Sequence, residues 1–303
     1  MNFIVPYLSR DHDWRLYNDG RFCWSLLTAE KLRASGYICD ISTEINPDSI
    51  NIGHARTLAS IKTAQCSYVV SCDADWPRLP WANYNICQNK LNVSGKRCSW
   101  MPLFSQQGLI LRDINQYDVT TVGYFGRIDK EQEFVSFGHE LARHGIEFTI
   151  KGEDTWNNYS NVDVAVSLRF LSKRRIRRKP ATKLVNAWLA GVPFVAMDEP
   201  AFSQIGQSGV NYLAANSPED VIKALIRMRD NHDLYHQLRD AGRVAAKDYT
   251  DEAVTRRWIE LIENTLVPEF EKWKVNRAPE SISFHVRYGC WKAQKLLRSM
   301  LKR

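Results

Sequence analysis

The stretch from residue 119 to 197 constrains the fold most. VTTVGYF, residues 119–125, reads as an apolar strand closed by Gly126. Residues 131–144 follow as a helix, with Phe134, Phe137 and Leu141 on one face and Gly145 as its stop. Residues 146–150 and 162–168 read as further strands, 182–190 as a helix ended by Gly191, and 194–197 as a strand. Strands alternating with helices predict a parallel sheet covered by helices. Beyond it, Ser217-Pro218-Glu219-Asp220 supplies a capping side chain and a first-turn proline for another helix. Residues 232–246 and 250–266 read as helices too.

A similar alternation precedes this one. Strands are expected at 2–8, 37–42, 68–72, 85–88 and 97–102, with helices at 24–34 and 54–64. At 303 residues the chain is long for one core and suited to two. The predicted class is α/β, with two Rossmann-like, doubly wound domains at 1–117 and 118–267 and a tail at 268–303. From Phe284 the tail reads as an amphipathic helix. Val286, Cys290, Ala293, Leu297 and Met300 form its apolar seam. That seam suits either packing on the first domain or contact with an anionic membrane through 283–303.

Charge is concentrated. The net charge is +7, yet residues 173–179 hold six basic residues and 283–303 another six. The remainder is net negative, which argues against broad electrostatic binding of nucleic acid. The seven cysteines include no CxxC pair and read as reduced thiols. The opening MNFIVPYLSRDHDW resembles neither a secretory signal nor a spanning helix, so the expected location is cytoplasmic, with possible peripheral contact at a membrane.

In open parallel sheets, ligands bind beyond the carboxyl ends of the strands. At those ends in the second domain stand Arg127 and Lys130, then Arg169, then Lys183 in the first turn of a helix. Each can be an ordinary surface cation. Three strand ends carrying positive charge, with helix N–H groups beside them, instead suit a diphosphate. The run 173–179 becomes the loop leading to that site.

YFGRIDK, NNYSNVDVAVSLR, KPATKLVNAWLAGVPFVAMDEPAF and GVNYL occur in this order. Together they resemble the nucleotide-sugar-binding half of GT-B glycosyltransferases of the group 1, or family 4, type, over about residues 119–265. The resemblance implies transfer of a sugar from a nucleoside diphosphate, bound in a cleft between two domains, without a metal and with retention at the anomeric carbon. Arg127 and Lys130 match the family's diphosphate-binding pair. The family's Glu-x7-Glu motif is absent, since Arg178 and Asn186 occupy its positions. Asn186, with Thr182, is the expected contact to the donor ribose or base, and Lys183 substitutes for the missing anchor. The acceptor would meet SRDHDW, where His12 and Asp11 are the candidate catalytic residues; His54 is another.

Rival readings remain open at this level. A GT-B nucleotide-sugar epimerase would bind the same donor. Asp73-Ala74-Asp75 suits the metal site of a GT-A glycosyltransferase. Residues 173–179 could serve a nucleic-acid-binding protein, though no aromatic stacking platform surrounds them.

Overall fold

The computed structural model describes residues 1–9, 13–61, 66–113, 118–128 and 130–300. The chain forms two compact units. The first comprises Met1–Gln88, Val93–Met101 and Thr255–Arg303; the second comprises Asn89–Asn92 and Pro102–Val254. The first unit thus takes back the end of the chain, starting thirteen residues before the expected tail.

The first unit is built on six strands: β1 (Asn2–Ile4), β2 (Asp40–Ser42), β3 (Asn51–His54), β4 (Val69–Cys72), β5 (Tyr84–Cys87) and β6 (Cys98–Trp100). They pair in parallel in the order β2-β1-β3-β4-β5-β6. Strands β1, β3, β4 and β5 are buried along their whole length, as a sheet covered on both faces requires.

Strand β3 corrects the sequence reading, which began a helix at His54. NIGH has one aliphatic residue, yet it lies at the centre of the sheet. Its polar groups are satisfied internally. The Asn51 amide NH2 donates to the carbonyls of Asn46, Ser49 and Tyr68, and its oxygen accepts from Asn2 and Asn46. Gly53 is needed for close approach, because a Cβ there would stand 3.1 Å from Ile4 Cβ. His54 then caps a single helical turn, Ala55–Leu58, by accepting at Nδ1 from the Arg56 N–H.

Helical segments at the chain end close this unit. Trp258 meets Trp24 edge-on at 6.3 Å, and Phe270 and Trp273 pack on Tyr68. The final helix, Arg277–Met300, lays Phe284, Tyr288 and Trp291 against Trp81. These contacts use the aromatic face of the helix and not the expected seam. Val286, Leu297 and Met300 are each about 60% exposed and Cys290 is exposed. Three aromatic rings bury more area than an aliphatic seam interrupted by Ala293, so the aromatic face wins.

The second unit has five parallel strands: β7 (Thr121–Phe125), β8 (Glu147–Lys151), β9 (Val164–Ser167), β10 (Phe194–Met197) and β11 (Leu213–Ala215). Their order is β11-β10-β9-β7-β8. Helices Glu131–Arg143 and Pro218–Asp230 bury Phe134, Phe137, Leu141, Val221 and Leu225 in one core with the strands. Ser217 accepts from the Asp220 N–H, the capping bond expected there. Strand β11 is an addition to the sequence reading. So is a turn of helix, Lys173–Ile176, inside the basic run that reads as loop.

At the amino edge of this sheet, Asp163 accepts from the Thr120 and Thr121 N–H groups at 2.7 and 2.6 Å and pairs with Arg112. Both partners are almost fully buried. This pair lies at the edge opposite the carboxyl ends of the strands.

Candidate functional site

Because β7 to β11 are all parallel, the residues following them emerge at one edge. Gly126 and Arg127 follow β7, Glu153 lies two residues past β8, Arg169 follows β9 and Glu199 follows β10. The helix Thr182–Leu189 begins at the same edge.

Lys183 and the end of β7 meet there. The Lys183 ammonium stands 3.7 Å from the centroid of the Tyr124 ring. It would lie 3.1 Å from a Cβ placed on Gly126. Gly126 has φ +146°, a conformation that L side chains rarely adopt. A glycine therefore opens the space into which a lysine from a distant helix reaches. The Tyr124 hydroxyl donates to the Arg127 carbonyl at 3.0 Å, which fixes the ring under the cation.

The other predicted cations sit around this point in distinct ways. Arg127 pairs with Glu153 at the surface, where both side chains are largely solvated. Such a pair contributes only about 0–1 kcal/mol and can yield to a stronger anion. Lys130 pairs with Glu133 at 2.9 Å and stands 5.6 Å over the Phe170 ring. Arg169 is held more firmly: its Nε donates to Glu199 Oε1 at 2.8 Å, and the Ser167 hydroxyl donates to the same oxygen at 3.0 Å. The Glu199 side chain is fully buried.

Asn186 is buried, and its amide oxygen accepts from the Gln106 N–H at 3.1 Å. A ribose hydroxyl at Asn186 would have to accept from its NH2 group. The Thr182 hydroxyl is buried and has no hydrogen-bond partner among the described residues. The basic run is tied by its backbone: the carbonyls of Arg177 and Lys179 accept from Asn92 and Asn89 at 3.0 and 3.1 Å. Gln204 holds that same short segment by bonding Asn89 and Lys90.

In the first unit, His12 and Asp11 lie outside the described residues. His54 is at the carboxyl edge of β3. Burial lowers its pKa to about 4, against the pull of Asp19 and Asp75 in the other direction. It is a neutral imidazole at pH 7 whose Nδ1 accepts, so its Nε2 carries the proton. Asp73 and Asp75 differ in their hydrogen-bond partners. Asp73 is buried and bonded to Ser71 and Arg78, whereas Asp75 accepts from Gln88. Among the described residues no three His, Cys, Asp or Glu side chains are grouped to hold a metal ion. What leaves the GT-A reading without its architecture is the second parallel sheet.

Sequence reasoning missed Glu199 and Tyr124. Glu199 had a weak signal: an acid two residues past β10, as Arg169 is two residues past β9.

No protein-family model matches the chain, and no curated protein matches it. Solved structures do. The chain is similar to that of TarM, with a TM-score of 0.52 and 10% identity over 72% of this chain and 55% of that one. It is similar to sucrose-phosphate synthase from Thermosynechococcus elongatus, with a TM-score of 0.52 and 12% identity over 86% and 81%. It is similar to the lipopolysaccharide outer core galactosyltransferase WaaB, with a TM-score of 0.50 and 11% identity over 86% and 98%. The chain thus spans little more than half of the TarM structure but nearly all of WaaB. Two Rossmann-like parallel units, the first completed by a long C-terminal helix, make this a protein of the GT-B fold.

Proposed function

We propose that the chain is a glycosyltransferase that takes a sugar from a nucleoside-diphosphate donor, with the diphosphate held at the carboxyl edge of the second unit's sheet. One observation carries this reading: Lys183 reaches across to Gly126 and lies 3.7 Å over Tyr124, at the end of β7. A cation held there beside a glycine backbone can neutralise the charge that develops on a departing nucleoside diphosphate. Arg127 and Lys130 complete the anion site by leaving their surface carboxylates. Arg169, neutralised by Glu199, shapes the site's floor. Thr182 has a hydroxyl to offer the ribose, and Asn186 an amide NH2. His12 and Asp11 are the candidates for orienting or deprotonating the acceptor hydroxyl. The similar structures support a donor of this class, since WaaB is named as a galactosyltransferase and another similar chain, TarM, was solved with UDP. A retained anomeric configuration belongs to the same reading.

A second feature favours an acceptor at a membrane surface. The outward face of the final helix carries Ile282, Val286, Leu296, Leu297 and Met300, all at least 57% exposed, while exposed Lys292 and Lys295 lie over the Tyr288 and Trp291 rings, beside the packed face. An aliphatic stripe with basic residues suits anionic lipid. No helix among the described residues is long and apolar enough to cross a membrane.

A thermal-shift screen of nucleoside diphosphates tests the main reading. One nucleotide should raise Tm by mass action. No shift with any of them contradicts the reading.

A further inference from the structure

Two cysteines of the first unit stand sulfur to sulfur. Cys87 ends β5 and Cys98 begins β6. In the parallel pairing Cys98 lies opposite Asn85, two residues before Cys87. Side chains alternate along a strand, so both thiols face the same side of the sheet as diagonal neighbours. Their Sγ atoms are 3.4 Å apart. The donor-side residues Arg127, Lys130, Arg169 and Lys183 all belong to the second unit, so sugar transfer makes no use of this pair.

Arg78, between β4 and β5, gathers the two sulfurs. Its Nη2 donates to Cys98 Sγ at 2.9 Å and to Cys87 Sγ at 3.2 Å. Its Nη1 donates to the Ser94 hydroxyl at 2.7 Å, and its Nε to Asp73 Oδ2 at 3.3 Å. A guanidinium has donors only, and a thiolate accepts from it far better than a thiol does. The surroundings decide which sulfur carries the charge. Cys87 Sγ lies 3.5 Å from the Asp73 carboxylate, to which it can donate a proton. The bond from Cys87 pulls the Cys98 thiol down to about 6 against burial, helped by the Ser94 backbone and Arg78. The same bond, then burial, then Asp73 push Cys87 up. At pH 7 Cys98 is therefore a thiolate and Cys87 its proton donor. Cys98 is also the more accessible, 7% exposed against 2% for Cys87. It follows directly on the exposed residues 93–97 and lies under Arg78, whose side chain is 31% exposed. That opening suits a reagent close to water in size.

We propose that Cys98 and Cys87 form a site of reversible oxidation, whose reactant is a hydroperoxide and whose product is the Cys87–Cys98 disulfide. The site stands whether or not the chain transfers sugar. The Cys98 thiolate attacks one peroxide oxygen, the O–O bond breaks, and the departing oxygen takes a proton from solvent. Cys98 is left as the sulfenic acid. The Cys87 sulfur then attacks the Cys98 sulfur, the S–O bond breaks, and the leaving hydroxide takes the Cys87 proton as water. The two sulfurs lose two electrons, and hydrogen peroxide becomes two waters. An S–S bond is about 2.05 Å long, and diagonal neighbours stand wider apart at the backbone than a relaxed bridge prefers. Closure therefore draws the first residue of β6 towards β5, which its place at the end of the sheet permits. A bridge closed in that way is readily reduced again. Arg78 loses an anionic partner on oxidation and keeps Asp73, just past β4.

Peptide mapping of the full chain tests this. The folded protein is treated with hydrogen peroxide at pH 7, unfolded in N-ethylmaleimide to cap the remaining thiols, digested and weighed by mass spectrometry. The peptides holding Cys87 and Cys98 should be found joined, and dithiothreitol given before unfolding should part them. Exposed Cys290 serves as the internal control for the oxidant. In Arg78→Gln the link should form about tenfold more slowly, because the thiolate loses its cation. Cys87→Ser leaves Arg78 in place and tests the order of attack: Cys98 should then take up dimedone, a trap for sulfenic acids. In Cys98→Ser, Cys87 should take up none. Cys87 and Cys98 both capped while Cys290 is fully oxidised overturns the proposal. So does a linking rate that Arg78→Gln leaves unchanged, or dimedone on Cys87 and not on Cys98.

Discussion

Arg169 Nε lies 2.8 Å from Glu199 Oε1, joining the residues that follow two neighbouring strands, β9 and β10. The carboxylate is fully buried and the guanidinium nearly so. Removing one partner leaves the other charge buried and unpaired, which typically costs about 3–5 kcal/mol. Glu199→Ala should therefore lower the urea midpoint by an amount of that order. Arg169→Ala should do the same, and the double variant should cost less than the sum of the two. Additive losses would show that the two do not act as a pair.

The two faces of the final helix should respond differently. Phe284 is 3% exposed and packs on Trp81. Phe284→Ala should cost about 3 kcal/mol or more. Val286→Ser and Leu297→Ser, on the exposed face, should change stability by no more than about 0.5 kcal/mol. If the outward face docks on anionic lipid, the same two substitutions should weaken sedimentation with phosphatidylglycerol vesicles while leaving Tm unchanged. The reverse ranking in urea denaturation would restore the seam read from the sequence.

His54 links stability to acid. Burial holds its folded pKa at about 4, below the ordinary histidine value. Between about pH 6.5 and pH 4 the unfolded chain binds a proton that the folded chain does not, so stability is lost as pH falls through that window. From pH 7 to pH 5 this amounts to about 2 kcal/mol. His54→Asn keeps a capping acceptor and removes the titration. Its urea midpoint should fall less than that of the wild type over the same pH range; parallel curves would refute the assignment.

These relationships were unevenly visible in the amino-acid order. In the second unit, β7, β9 and β10 are apolar runs and β8 is an alternating strand between Gly145 and Gly152, so local pattern locates β7 to β10. Strand β3 was hidden because its centre is stabilised by the amide of Asn51, whose partners come from residues 2, 46, 49 and 68. No local pattern carries that information. The final helix shows the same limit: aromatic and aliphatic residues each recur at helical spacing, and only the presence of Trp81 decides which face is buried. At the candidate site, Lys183 was legible from its position at a helix start. The place of Glu199 just past a strand was legible too, but its pairing with Arg169 was not, because that depends on β10 lying beside β9.

Gly126 tests the geometry without removing a charge. At φ +146°, with the Lys183 ammonium 3.1 Å from its would-be Cβ, a side chain there is strained and crowds the lysine. Gly126→Ala should strain the turn by about 1 kcal/mol or more and push the lysine aside. Nucleotide affinity should drop in this variant by more than its modest change in Tm would suggest. Unchanged affinity would show that the position of the lysine does not matter.

The central claim is that Lys183 anchors a nucleoside diphosphate. Isothermal titration of the nucleotide found in the thermal-shift screen, into wild type and Lys183→Ala, measures this directly. The account predicts a loss of affinity of at least about tenfold in Lys183→Ala, the equivalent of one charge-assisted contact, with the fold intact by circular dichroism. Equal affinities in the two proteins would contradict it.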